Sequence, residues 1–209
     1  MYKKKFLFIV FEGIEGSGKT YQSKKLYKSL KKKRLPVHFT REPGGTPSAE
    51  IIRKVILSGK KKKFNETTDT LLYLAARNEH VEKVLIPQII KKNIICDRFV
   101  DSTLAYQVGG KNVDKNLVKF IHKKILFNIQ PDLTILLKVN IKKAFQRINK
   151  RKFKNRYDKF SMKFYEKVQR SFINTALKKK NRYLILDNSL DSNKVEKVIL
   201  KKVLSKFNK

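Results

Sequence analysis

Residues 13–20, Gly13-Ile14-Glu15-Gly16-Ser17-Gly18-Lys19-Thr20, constrain this chain more than any other stretch. They fit the pattern G-x-x-x-x-G-K-[ST], and they stand between an apolar run at residues 6–11 and a segment of helical periodicity at residues 20–32. In a strand–turn–helix context, glycines let successive backbone N–H groups converge on phosphate oxygens where a Cβ would obstruct them. The helix N-terminus that follows adds its dipole. Lys19 can then reach the outer phosphates of a nucleoside triphosphate, and the Thr20 hydroxyl can ligate Mg²⁺. Gly13, Ile14, Glu15, Gly16, Ser17, Gly18, Lys19 and Thr20 are therefore candidate ATP-binding residues, and Glu15 stands out as an acid inside an anion cradle.

Such a cradle requires an open parallel sheet behind it, and the remaining pattern supplies one. Apolar runs at residues 37–40, 94–97, 133–139 and 183–186 read as buried parallel strands. Helical periodicity recurs over residues 67–90, 114–127, 142–150, 159–178 and 193–207. The alternation predicts a three-layer α/β fold around a parallel five-stranded sheet, in one domain over residues 1–209. Asp97, at the carboxyl end of the run Ile94-Ile95-Cys96, is the candidate acid near the metal; Cys96 reads as a small core residue.

The chain is 209 residues long with a formal net charge of +34. Its lysines are spread along the whole length without aromatic interleaving, so we read them as compositional drift onto solvated surfaces rather than as a nucleic-acid footprint. The run at Lys31, Lys32 and Lys33 reads as an exposed helix end, and the run at residues 60–63 as a loop. Only 10 of the 51 basic residues are arginine, which suggests that arginine persists where a planar fork is needed. Lys3, Lys4 and Lys5 before the first apolar run imitate a signal peptide, but the run is too short for one and far too short to span a bilayer. The single cysteine excludes an intramolecular disulfide and favours a cytoplasmic location. His38, His80 and His122 show no metal-ligand spacing.

A phosphate cradle alone spans kinases, GTPases, helicases and transport ATPases. "TREPGGT" at residues 40–46, "LLYLAARNE" from Leu71 and "DRFVDSTLAYQ" from Asp97, following "GIEGSGKT", resemble the thymidylate kinase family over almost the whole chain. The resemblance implies phosphoryl transfer from Mg·ATP to dTMP in dTTP biosynthesis, by a cytoplasmic homodimer that uses neither membrane nor specific nucleic acid. It implies Arg41 and Arg98 on the dTMP phosphate, Tyr73 stacked on thymine, Arg77 donating to an exocyclic oxygen of the base and Thr103 touching it. It further implies Tyr106 crowding the sugar 2′ position, Gln107 near the substrate and Glu15 accepting from the 3′-hydroxyl. Tyr73 and Arg77 lie four apart, on one helical face. Some relatives carry an arginine where this chain has Gly16; the bacterial subclass instead delivers arginines from a lid. "RINKRKFKNRYD", residues 147–158, matches that lid, with Arg151 the first candidate for the catalytic arginine, Arg156 the second, and Arg147 beside the ATP. Catalysis would fall to Lys19, Arg98, Arg151 and Arg156, with Thr20 and Asp97 on the metal. Two rivals stay open from the sequence: another nucleoside monophosphate kinase, and a nucleic-acid-dependent ATPase using the positive field.

Overall fold

Five parallel strands, β1 (Phe8–Glu12), β2 (Val37–Arg41), β3 (Asn93–Asp97), β4 (Leu133–Lys138) and β5 (Tyr183–Asp187), lie side by side in the order β2-β3-β1-β4-β5. The computed structural model describes residues 6–59, 63–189 and 192–207; Lys3, Lys4, Lys5, Lys60, Lys61, Lys62 and Leu190 lie outside them. The register pairs Phe11 with both Asp97 and Ile135, so the carboxyl ends of β1, β3 and β4 come level along one edge. Binding crevices of open parallel sheets form at that edge.

Alternation along β1 explains the layering. Ile9 and Phe11 point into one core with Leu26 and Leu30 of α1 (Lys19–Lys32) and Val195, Ile199 and Val203 of α9 (Ser192–Phe207). Phe8 and Val10 face the opposite side, against Val81, Leu85 and Phe99. A third cluster on that side joins Tyr165, Val168 and Phe172 of α8 (Met162–Leu177) to Ile14 and Leu136.

All five strands fall where the apolar runs placed them, within about two residues at each end. The long helical segment from residue 67 resolves into α3 (Glu66–His80), a π-helical stretch Val81–Leu85 and a short α4 (Ile86–Ile89). α6 (Lys115–Ile125) starts on the Asp114 cap, and α7 (Ile141–Asn149) on the Asn140 cap. Two elements were not foreseen from periodicity. One is α2 (Pro47–Leu57), which opens with the Thr46 cap and Pro47 in its first turn. The other is α5 (Val100–Thr103), continued by a π-helical segment Leu104–Gly110 that ends in two glycines. The lid region is less of a loop than its charge suggested: Arg147 belongs to α7, and Arg156–Lys159 form a 3₁₀ turn under a capping box from Asn155 and Asp158. Lys31, Lys32 and Lys33 form an exposed helix end, and Cys96 is fully buried, both as expected.

Candidate active site

The cradle forms as its composition dictates. Gly16 and Gly18 take φ of +74° and +89°, in the left-handed region where a side chain is strained, and Gly18 is the N-cap of α1. A Cβ on Gly16 would sit 2.5 Å from the Ala144 carbonyl oxygen of α7. An arginine at that position therefore cannot be accommodated in this arrangement, and any arginine for the transferring group has to come from another segment. The buried Lys19 ammonium donates to the Ile14 carbonyl at 2.9 Å. Burial, then the nearby Arg98, pushes it down to about 8, with Asp97 and Glu15 opposing. Thr20 donates to Asp97 Oδ2 at 2.5 Å, while Asp97 Oδ1 is buried without a partner among the described residues. A hydroxyl beside a carboxylate with one free oxygen is a donor set suited to a hard divalent cation.

Arg98 faces the cradle from the end of β3. Its φ of +76° is uncommon for a side-chain-bearing residue and turns the guanidinium inward. The fork donates to Gly13 O at 3.0 Å, Ser102 Oγ at 2.9 Å and Glu15 Oε1 at 2.8 Å. Glu15 Oε2 accepts from the Tyr106 hydroxyl. Burial alone would raise the Glu15 carboxyl, but Arg98 and Lys19 outweigh it and hold it below the usual value. Beneath, Glu12 accepts from Phe99 N at 2.8 Å and from Ser102 Oγ at 2.6 Å, tying β1 to the start of α5. Burial and the neighbouring Asp101 push its carboxyl up to about 8.

Glu15, Tyr73, Arg77, Arg98, Thr103, Tyr106 and Gln107 line one cavity beside the cradle. Seven of the eight residues assigned from sequence to the acceptor nucleotide thus share one wall system. Arg41 is the eighth and is not brought there: half-exposed, it forks onto Glu50 of α2 at 3.0–3.3 Å. Glu50 also accepts from Gly45 N at 3.0 Å, so it is fixed where it captures Arg41. The cation lining that side of the cavity is Arg53, held by the Pro43 carbonyl at 2.7 Å. Sequence reasoning passed over Arg53, although one of only ten arginines in a lysine-rich chain was a usable signal. Tyr157 was missed too. Its ring meets Tyr73 and Tyr106 edge-on, each at 6.0 Å, and its side chain hydrogen-bonds with that of Tyr73.

Three lid arginines have three different settings. Arg147 ties α7 to the cradle through Gly16 O at 3.1 Å and to the turn after β5 through Asn188 O at 2.9 Å. Asn188 in turn donates to Ser17 O at 2.7 Å, so this turn borders the cradle. Arg151 is partly exposed and paired with Asp158 Oδ1 at 2.7 Å. Arg156 is buried and not brought to the cradle: it is bonded to Asp69 and to the Ile56 carbonyl. The reason is Asp69 itself, fully buried and also accepting from Lys111 at 2.5 Å and Tyr157 at 2.7 Å; removing a cation would strand its charge.

The model of the thymidylate kinase family matches residues 11–199. A thymidylate kinase of Geobacter sulfurreducens is 40% identical over 189 residues, 87% of this chain and 89% of that protein. One from Mycoplasma capricolum is 38% identical over 205 residues, covering 96% of each chain. The crystal structure of thymidylate kinase from Ehrlichia chaffeensis superposes with a TM-score of 0.77 at 32% identity, covering 95% of this chain and 98% of that one.

Proposed function

The chain belongs to the thymidylate kinase family, phosphotransferases that convert dTMP to dTDP with ATP, and from that premise we propose how its residues divide the reaction. The observation that carries the assignment is the Glu15–Arg98 pair, 2.8 Å apart, which joins the phosphate cradle to a cavity lined by Tyr73, Arg77 and Tyr106. The donor triphosphate lies along Gly13–Thr20 and its base beside Arg147 and the turn at Asn188 and Ser189. The acceptor lies in the cavity, its phosphate toward Arg98 and Arg53, its sugar against Glu15 and Tyr106, its base between Tyr73 and Arg77.

Two polyanions must meet in line, so the work is positioning and charge neutralisation rather than base catalysis. The acceptor phosphate, with a second pKa of about 6, is already ionised near neutral pH. Arg98 presents a fork that matches phosphate oxygens in pairs, and Glu15 holds that fork in place before substrate arrives. Triphosphate oxygens beside Lys19 restore the proton affinity that burial depresses. Thr20 and Asp97 are the residues that would hold Mg²⁺, whose charge would offset that of the triphosphate. Arg151, whose side chain is tethered among the described residues through Asp158, is the lid cation able to turn onto the transferring group; such an arginine is worth about 10³–10⁵ in rate. Arg156 keeps the lid base attached to Asp69 and does not contact substrate. Closure over the cleft excludes water and so suppresses ATP hydrolysis.

We assign a homodimer to the same reading. Ile51 and Val55 of α2 and Leu71 of α3 are exposed large apolar side chains on two helices that pack together, a face suited to a second copy. No helix among the described residues is long and apolar enough to cross a membrane, and the lone Cys96 suits the cytoplasm.

ADP release with Mg·ATP, measured against dTMP, ribosyl-TMP, dCMP, dGMP and AMP with and without DNA, tests the assignment. Turnover concentrated on dTMP and weakened for the ribose form is expected. ADP release indifferent to every monophosphate but stimulated by DNA would overturn it.

A further inference from the structure

His122 lies on α6, outside every segment that the chemistry singled out, yet its ring is 6% exposed and reaches the cavity wall from behind. There Nε2 stands 2.7 Å from Arg77 Nη1. A guanidinium has no acceptor, so the imidazole nitrogen must supply the lone pair and the ring proton must sit on Nδ1. The other Arg77 partners are equally specific. Nε donates to Glu42 Oε2 at 2.7 Å, Nη1 to Thr103 Oγ1 at 2.8 Å, and Nη2 to the Phe99 carbonyl at 2.9 Å. Burial, with Arg77 adding to it, pushes His122 down to about 3, so the ring stays neutral through any working pH.

Guanidinium carries five N–H bonds, and these four partners occupy four of them. One Nη2–H is left, on a residue that lines the acceptor cavity. We infer that His122 is a positioning residue for base selection: by holding Arg77 from behind, it restricts the guanidinium to a single N–H aimed at the pyrimidine. This rests on the placement of the base against Arg77 argued above. A lone fixed donor suits a carbonyl at the pyrimidine 4-position, as in thymine or uracil, and opposes the amino group of cytosine, which is itself a donor. Without His122 one Nη1–H loses its acceptor and the fork can rotate toward other partners.

The test compares His122→Leu, His122→Met and His122→Gln in the full chain, with KM and kcat for dTMP and dCMP, KM for ATP, and Tm as a folding control. Leucine and methionine remove the acceptor; glutamine returns one near the position of Nε2. The expected result is a roughly tenfold rise in KM for dTMP with the apolar variants, little change in kcat or in KM for ATP, and a narrowed preference for dTMP over dCMP. Glutamine should recover most of the affinity. Methionine keeps the experiment informative should leucine fail to fold. An apolar variant with unchanged dTMP affinity and selectivity would overturn the inference, as would a glutamine variant as impaired as leucine. Arg77→Gln, run in parallel, separates the two readings: if it leaves KM for dTMP untouched, the placement of the base fails; if it raises KM while the apolar variants do not, only the role of His122 fails.

Discussion

Arg98→Lys keeps a positive charge at the mouth of the acceptor cavity and removes only the planar fork. In the structure that fork satisfies Gly13 O, Ser102 Oγ and Glu15 Oε1 at 2.8–3.0 Å, three acceptors in different directions. An ammonium at the end of a flexible stem cannot span all three and still face a phosphate with two parallel N–H bonds. Losing two charge-assisted hydrogen bonds in the transition state, at about 1.5–3 kcal/mol each, predicts a fall in kcat/KM for dTMP of at least about 10²-fold. Because the charge beside Glu15 survives, stability should drop by only about 1 kcal/mol, and KM for ATP should stay within about threefold. Steady-state kinetics with either substrate varied, beside urea unfolding of the same preparations, measures all three. A lysine variant within about fivefold of the parent in kcat/KM for dTMP would refute the claim that geometry, rather than charge, keeps arginine here.

Tyr106→Leu removes both the donor to Glu15 and the ring we propose to lie against the sugar, so the ratio of kcat/KM for dTMP to that for ribosyl-TMP should fall several-fold in a paired substrate assay. Arg151→Ala should lower kcat by about 10²-fold or more with little change in Tm, whereas Arg156→Ala should cost about 3 kcal/mol of stability, because Asp69 is left buried with one cation fewer; urea midpoints against kcat separate the two roles. Glu12 binds its proton up to about 8 in the fold against a usual 4.5, so the native state holds a proton that the unfolded chain releases within that window, and stability falls as pH rises through it. Glu12→Gln should flatten that decline, read as the difference between urea midpoints at pH 5 and pH 8. Ile51→Asp, at the exposed centre of the α2 face, should shift sedimentation from dimer toward monomer without lowering the turnover of properly folded enzyme by more than a few-fold.

What could be read in the sequence followed from locality. The cradle residues are contiguous, and their glycines are required by backbone conformation, so Gly16 and Gly18 announced themselves. Buried parallel strands are short apolar runs whatever surrounds them, and all five were visible. The π-helical stretches at Val81–Leu85 and Leu104–Gly110 were not, because no composition rule separates a π turn from an α turn. Partnerships between distant residues were equally hidden. Arg41 and Arg53 stand on adjoining elements with the same chemistry, and which one faces the cavity depends on Glu50 capturing the first. The burial of Arg156 depends on Asp69, 87 residues away, and the contribution of His122 depends on Arg77, 45 residues away. Neither separation leaves a periodic trace.

The lysine drift sharpens this account. A lysine on a solvated helix needs only water, so composition can move there at almost no energetic cost. Arg77 and Arg156 are 3% and 2% exposed and each meets acceptors from more than one element; a point-charge ammonium in either place would leave carbonyls or carboxylates unpaired. Lys19 and Lys111 are the informative exceptions. Both are largely buried: Lys19 donates to Ile14 O at 2.9 Å, and Lys111 to Asp69 at 2.5 Å with a longer contact to the Tyr157 hydroxyl at 3.3 Å, sets that an ammonium meets without a fork. The choice between the two cations thus tracks the number and direction of fixed acceptors rather than burial alone. On the proposed reading, the net charge of +34 would add only a long-range attraction for nucleotides, one that salt screens over about 8–10 Å, while discrimination among them would fall to the few arginines whose forks are held by fixed acceptors.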